Sequence, residues 1–206
     1  SDLYFRGQAV AQLAGNNSQK GAMLALGVSF EEASTLIEQN TNGYATIAAI
    51  NSPQSITISG DMSAIDNIQL IGDAQGLFVR RLKVEVAYHS RHMEQVAASY
   101  LASIEPYCNL ESPDLGYAPP QASFVSSVTG RRADKLDTSY WVKNLLQTVK
   151  FADAIETLVS TQENKTNEEQ SNGKSPKLIV EIGPHPALQN PIKQTLEQLR
   201  QIGRAH

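Results

Sequence analysis

The chain has 206 residues, 41% of them apolar and 18% charged, with 17 basic against 21 acidic side chains and a net charge of −4. This mixture can bury a core, which excludes a wholly disordered chain, and no apolar run approaches the ~20 residues of a membrane span. The acidic balance, without a basic block, counts against a nucleic-acid surface; one cysteine, Cys108, excludes an internal disulfide framework and a Cys-rich metal site.

The first eighteen residues carry Leu3, Val10, Leu13 and Ala14 on one side and predict a helix. Residues 22–28 (AMLALGV) predict a strand. Ser29 to Glu32 has the S-x-x-E form of a capping box and opens a helix with Ala33, Leu36 and Ile37 inward. Asn42 and Gly43 make a turn. The runs 44–50 (YATIAAI) and 55–59 (SITIS) are β-rich and are split by Asn51, Ser52 and Pro53. Asp61 or Ser63 is placed to cap a helix carrying Ile65, Ile68 and Ile71, and Leu82, Val84 and Val86 alternate as a half-buried strand. Strand, helix, strand, strand, helix, strand is the split βαβ, ferredoxin-like order.

Beyond residue 90 the pattern changes. Met93, Val96, Ala97, Tyr100, Leu101 and Ile104 keep helical spacing up to Pro106, where the helix is expected to stop. A Pro-rich loop leads to an expected strand at 123–129 (SFVSSVT). Phe151, Ala154, Ile155, Leu158 and Val159 form another helical stripe. Residues 161–176 are polar and low in complexity and are expected to form a mobile surface loop. Leu178–Ile182 is expected to be a short buried strand, followed by a turn through Pro184, His185 and Pro186 and a last helix with Pro191 near its start. Two strands make no complete sheet, so this tail is expected to be part of a larger α/β body.

The chemistry-bearing side chains are few. His89 stands where the 82–86 alternation ends; a sheet-fixed histidine at a loop mouth suits a general base, and a structural role is the alternative. His92 is expected at the surface, His185 to pack within its loop, and His206 is terminal. Arg6 reads either as a solvated helix charge or, beside Gly7, as a fork for a carboxylate. Cys108 lacks the pattern of an activated thiol and is expected to act as a small buried hydrophobe. No Gly-x-Ser-x-Gly elbow exists: only Gly72 and Gly76 have the spacing, and Ala74 lies between them.

Several stretches together resemble one family, the malonyl-CoA:acyl-carrier-protein acyltransferase domains of polyketide and fatty acid synthases. Tyr4–Val10 (YFRGQAV) is similar to its R-G-Q helix, and Ala48–Asp61 (AAINSPQSITISGD) to its N-x-P and V-S-G hairpin. Val86–Met93 (VAYHSRHM) resembles its active-site histidine motif. Tyr140–Leu145 (YWVKNL) and Val180–Leu188 (VEIGPHPAL) are similar to two C-terminal signatures. Fungal reducing polyketide synthases are the nearest in flavour. The resemblance implies a ferredoxin-like small subdomain, residues 22–88, inserted in an α/β-hydrolase-like large subdomain. Residues 1–21 and 89–206 would belong to the large one, with the elbow serine lying before Ser1.

The resemblance further implies ping-pong transfer of a malonyl group from malonyl-CoA, through a serine ester, to the phosphopantetheine thiol of an acyl carrier protein. His89 would be the base. The backbone carbonyl of Asn144 would orient its ring, and Arg6 would clamp the malonyl carboxylate. Tyr88 would crowd the α-carbon, which favours plain malonyl, and Asn51 would support the cleft floor. No resident cofactor or metal is implied. The implied partners are the carrier protein and neighbouring ketosynthase and linker domains, in a reducing, cytoplasmic setting and without nucleic acid or membrane. The fragment by itself is expected to be inactive. Two competing readings are a free-standing ferredoxin-like ligand-binding module, which leaves Val180–Leu188 and the Trp141 helix unexplained, and a non-catalytic scaffold remnant.

Overall fold

The computed structural model describes residues 2–15, 20–108, 123–133, 136–160, 178–183 and 185–202. The loop expected over 161–176, the Pro-rich stretch at 109–122, Pro184, His206 and the side chains of Leu3, Ala14 and Cys108 lie outside the described part. In chain order the elements are α1 (Asp2–Gly15), β1 (Gly21–Leu26), α2 (Phe30–Gln39), β2 (Ala45–Ser52), β3 (Ser55–Asp61), α3 (Met62–Ala74) and β4 (Val79–Arg81). A 3₁₀ turn (Arg91–Met93) follows, then α4 (Glu94–Cys108), β5 (Val125–Ser126), β6 (Arg131–Arg132), α5 (Thr138–Leu146), β7 (Val149–Lys150), α6 (Phe151–Ser160) and α7 (Gln189–Ile202).

The first four strands lie in the order β4-β1-β3-β2, every neighbour antiparallel, so the βαββαβ ferredoxin-like unit expected from the sequence is present. Alternation explains its core. Ala22, Leu24 and Leu26 of β1 and Ile56 and Ile58 of β3 point to one face, where Ala33 and Leu36 of α2 and Ile65 and Ile68 of α3 cover them. Each fully buried large aliphatic side chain there contributes about 1.5–3 kcal/mol. In β2, Ile47 and Ile50 both reach this core because the pairing register shifts between Ile47 and Ala49. The capping box is formed: Ser29 Oγ accepts from the Glu32 N–H at 3.2 Å and Glu32 Oε2 accepts from the Ser29 N–H at 2.8 Å.

The second core is helical. Ala9 and Val10 of α1, Met93 of the 3₁₀ turn, Val96, Tyr100 and Ile104 of α4 and Leu145 of α5 pack together, with Phe5, Tyr88 and Trp141 at the margin. The strand β7 joins the two parts by pairing parallel to β2, and Thr148 Oγ1 donates to the Ile47 carbonyl at 2.8 Å.

Five expectations are corrected. The last strand of the sheet is Val79–Arg81, not Leu82–Val86: the Leu82 N–H still donates to the Met23 carbonyl, and the chain then leaves the ladder. It crosses the start of β1 so closely that a Cβ on Gly21 would lie 2.5 Å from the Ala87 nitrogen. Asp61 occupies the N-cap position of α3 without a side-chain cap bond, because its carboxylate is engaged elsewhere. Pro106 lies inside α4, which runs two residues further. The 123–129 strand shrinks to Val125–Ser126, where the Gly130 N–H turns back to the Ser126 carbonyl. Leu178–Ile182 is neither strand nor buried; no strand lies beside it among the described residues, and Ile182 is 97% exposed.

Candidate active site

The turn after Ala87 places His89 with φ +58°, the left-handed region. Such a backbone costs on the order of 1–3 kcal/mol and persists where its surroundings over-determine it. Buried Ser90 does part of this: its Oγ donates to the Ala87 carbonyl at 2.7 Å and accepts the His92 N–H at 3.2 Å. The ring does the rest, with Nδ1 standing 3.0 Å from the Gln147 carbonyl. A carbonyl only accepts, so Nδ1 carries the proton and Nε2 is left as the basic atom.

His89 is half-buried between two openings. On one side Arg6, Gly7, Met23 and Tyr88 line a cleft of about 440 Å³ with it. On the other, a cavity of about 390 Å³ is lined by Thr46, Arg91, Glu94, Gln147 and Lys150 among others. Helix α1 brings Arg6 in, and Gly7 leaves open space where a Cβ would stand. The guanidinium lies 5.6 Å from the centre of the Tyr88 ring, and its Nη1 donates to Asn144 Oδ1 at 3.1 Å. No carboxylate pairs with Arg6 among the described residues. Its charge is therefore free to meet an incoming anion. Burial first, and the Arg6 charge second, push the His89 imidazole down to about 4, while the main-chain carbonyls of Gln147 and Asn144 pull the other way. The ring is neutral at pH 7.

The sequence-derived set thus divides. Arg6, Tyr88 and His89 share one cleft. Asn144 stands beside them in two ways, its side chain on Arg6 and its carbonyl acting on the imidazole, but the Nδ1 hydrogen-bond partner is the Gln147 carbonyl. Gln147 carried no sequence signal, since any residue type supplies a carbonyl. Met23 was missed because its alternation reads as ordinary strand burial. Asn51 does not reach the cleft: β2 passes the His89 cavity at Thr46 and carries Asn51 on to its far end, where Nδ2 donates to Thr57 Oγ1 at 3.1 Å.

His92 and His185 exchange their expected places. His92 is buried, 5% exposed, because Asp61 Oδ1 accepts a hydrogen bond from its Nε2 at 2.7 Å. His185 is exposed, in a loop where Glu181 accepts from the Ala187 and Leu188 N–H groups. Among the described residues no group of three or more His, Cys, Asp or Glu side chains is placed to hold a metal ion. No helix among them is long and apolar enough to cross a membrane.

Comparison with known proteins gives a consistent picture. The family described as acyl transferase domain matches residues 2–206. The chain is 57% identical over 197 residues to the highly reducing polyketide synthase PKS2 of Leptosphaeria maculans, covering 94% of this chain and 8% of that protein. It is 56% identical over 201 residues to the highly reducing polyketide synthase ACRTS2 of Alternaria alternata, covering 95% and 8%. The chain therefore spans only a small part of these relatives' length. Among solved structures it is similar to a loading acyltransferase from the avermectin modular polyketide synthase, with a TM-score of 0.75, 26% identity, and 95% of this chain and 55% of that one covered.

Proposed function

The chain belongs to the acyl transferase domain family, and from that premise we propose that it serves in moving a malonyl group from malonyl-CoA to the phosphopantetheine thiol of an acyl carrier protein. The observation that carries the proposal is the shared cleft: the Arg6 guanidinium, without a carboxylate partner among the described residues, and the neutral His89 imidazole face the same space. A fixed cation selects a free carboxylate, and a neutral imidazole beside it takes a proton.

The chemistry needs a serine that does not line this cleft among the described residues, supplied from elsewhere in the same protein. Its Oγ attacks the thioester carbonyl while Nε2 of His89 takes the hydroxyl proton. The C–S bond then breaks, and the imidazolium returns that proton to the departing CoA sulfur. In the second half His89 takes the proton of the phosphopantetheine thiol. That sulfur attacks the serine ester, and the serine oxygen leaves with the proton. The Gln147 and Asn144 carbonyls hold tautomer and ring angle, as a carboxylate does in other triads. Tyr88 lines the cleft, and on this reading its ring crowds the malonyl α-carbon, so plain malonyl is the expected group.

The reading extends to the whole protein. Residues 1–21 and 89–206 form part of a large subdomain and 22–88 a small one. The parent is a fungal highly reducing polyketide synthase, with ketosynthase and linker domains as neighbours, working in the cytoplasm without a cofactor bound by this domain. Incubating the full-length protein with malonyl-CoA and weighing the digested serine peptide gives a malonyl adduct. Arg6→Ala loses preference for malonyl over acetyl by about 10- to 100-fold, since a charge-assisted hydrogen bond is worth ~1.5–3 kcal/mol. An unchanged ratio removes Arg6 from the mechanism. The 206-residue chain alone gains no adduct.

A further inference from the structure

One tightly built contact lies outside the acyl cleft. Asp61 ends β3, and its main-chain N–H donates to the Tyr44 carbonyl at 2.8 Å while its Oδ2 accepts from the Tyr44 N–H at 2.8 Å. Its Oδ1 accepts from buried His92 at 2.7 Å. Arg91 adds a second tie: its guanidinium carbon lies 3.9 Å from the centre of the Tyr44 ring, and its Nη2 is 3.8 Å from Asp61 Oδ2. The Tyr44 and His92 rings stack with centroids 6.4 Å apart. Burial would raise the Asp61 carboxyl, but the Tyr44 N–H, the His92 hydrogen bond and the charges of His92 and Arg91 leave it below the usual carboxylate range. The carboxylate is thus ionised and strongly bonded.

Asp61 ends β3 and Tyr44 immediately precedes β2 of the same sheet; Arg91 and His92 belong to the 3₁₀ turn that follows His89. None of the four lines the Arg6–Tyr88 cleft. The main-chain N–H of the same His92 donates to Ser90 Oγ, which in turn holds the Ala87 carbonyl, so the bond network brackets the left-handed residue 89. We propose that the Asp61–His92 hydrogen bond latches the His89 loop to the sheet, which makes Asp61 and His92 positioning residues for the His89 imidazole. The latch stands on geometry alone. Its kinetic consequence rests on the acyl-transfer reading above.

The test uses the full-length protein and two readouts. His92→Phe keeps a ring on Tyr44 and fills the buried volume, but removes the hydrogen bond. The first readout is the pH midpoint of diethyl pyrocarbonate modification at His89, mapped by peptide mass. Facing that ring are Arg6 from α1, the Asn144 and Gln147 carbonyls from the end of α5, and Arg91, Glu94 and Lys150 around the second cavity. All remain in the variant, so a moved midpoint reports a moved ring. The midpoint is expected to rise by at least about one unit from about 4 toward the free value of 6.5. The second readout is malonyl loading, expected to fall at least tenfold in kcat with KM held within about twofold. His92→Gln, which can donate to Asp61, restores both. Asp61→Ser breaks the same bond and serves where His92→Phe fails to fold. An unchanged His89 midpoint in either folded variant overturns the latch. A shifted midpoint in a protein that never takes malonyl upholds the latch and sinks the acyl-transfer reading instead.

Discussion

Arg6 acts on His89 as well as on any anion in the cleft, and the two effects are coupled. Its charge is the second cause, after burial, of the low imidazole value of about 4. A base that weak drives proton transfer poorly. On the acyl-transfer reading, a substrate carboxylate that neutralised the guanidinium would lift part of that depression and so strengthen the proposed base. The acid limb of kcat/KM, which reports the free protein, is therefore expected near pH 4, and that of kcat at higher pH. Arg6→Ala is expected to raise the kcat/KM limb toward the ordinary histidine value. Limbs that coincide in kcat and kcat/KM, and that ignore Arg6→Ala, would remove this coupling. The same depressed value has a stability sign. Between about pH 6.5 and 4 the unfolded chain binds a proton at His89 that the folded chain refuses, so stability falls as pH drops through that window and flattens below it.

At the scale of elements, the end of β3 ties the sheet to the loop that carries His89. Gly60 pairs with Ala45, and a Cβ on it would stand 2.1 Å from the Tyr44 carbonyl oxygen and 2.7 Å from the Ala45 Cα. Both are backbone atoms that cannot swing aside. Gly60→Ala must therefore push β2 and β3 apart next to Asp61. It is expected to cost about 1–3 kcal/mol, as overpacking does, and to lower the urea midpoint without changing the denaturant slope. A midpoint within experimental scatter of the parent would mean the strand pair has slack there. The sequence shows this pairing because alternation and turn residues are local: Leu24, Ile56 and Ile58 announce their face, and Ser29 and Glu32 announce a helix start. Arg6 and His89 were legible as chemical types at a helix and a loop mouth. What is long-range stayed hidden. Leu82, Val84 and Val86 alternate like a strand, yet the ladder ends at Arg81, because burial of Val86 comes from the helical core rather than from the sheet. His92 looked solvated because its partner is thirty-one positions away, and the Gln147 carbonyl has no side-chain signature.

Across the described residues, two cores lie on either side of the His89 loop, and the segment Leu178–Ile182 belongs to neither. Leu178, Val180 and Ile182 are 77%, 69% and 97% exposed and follow one another closely in sequence. An apolar run of this kind gains nothing from water, and apolar patches of a few hundred Å² on a protein surface mark contact sites or aggregation hazards. The 206-residue chain produced by itself is therefore expected to bind the dye ANS and to self-associate in sedimentation velocity as concentration rises. Replacing the three side chains together (Leu178→Ser, Val180→Thr and Ile182→Ser) removes apolar surface that is already solvated. It should therefore reduce both dye binding and association while leaving the thermal midpoint within about 2 °C, a shift of about 0.5–1 kcal/mol at most for a chain of this size. A monomer that ignores the dye would show that these side chains find cover. A large drop in midpoint on substitution would show that they are buried in the folded chain.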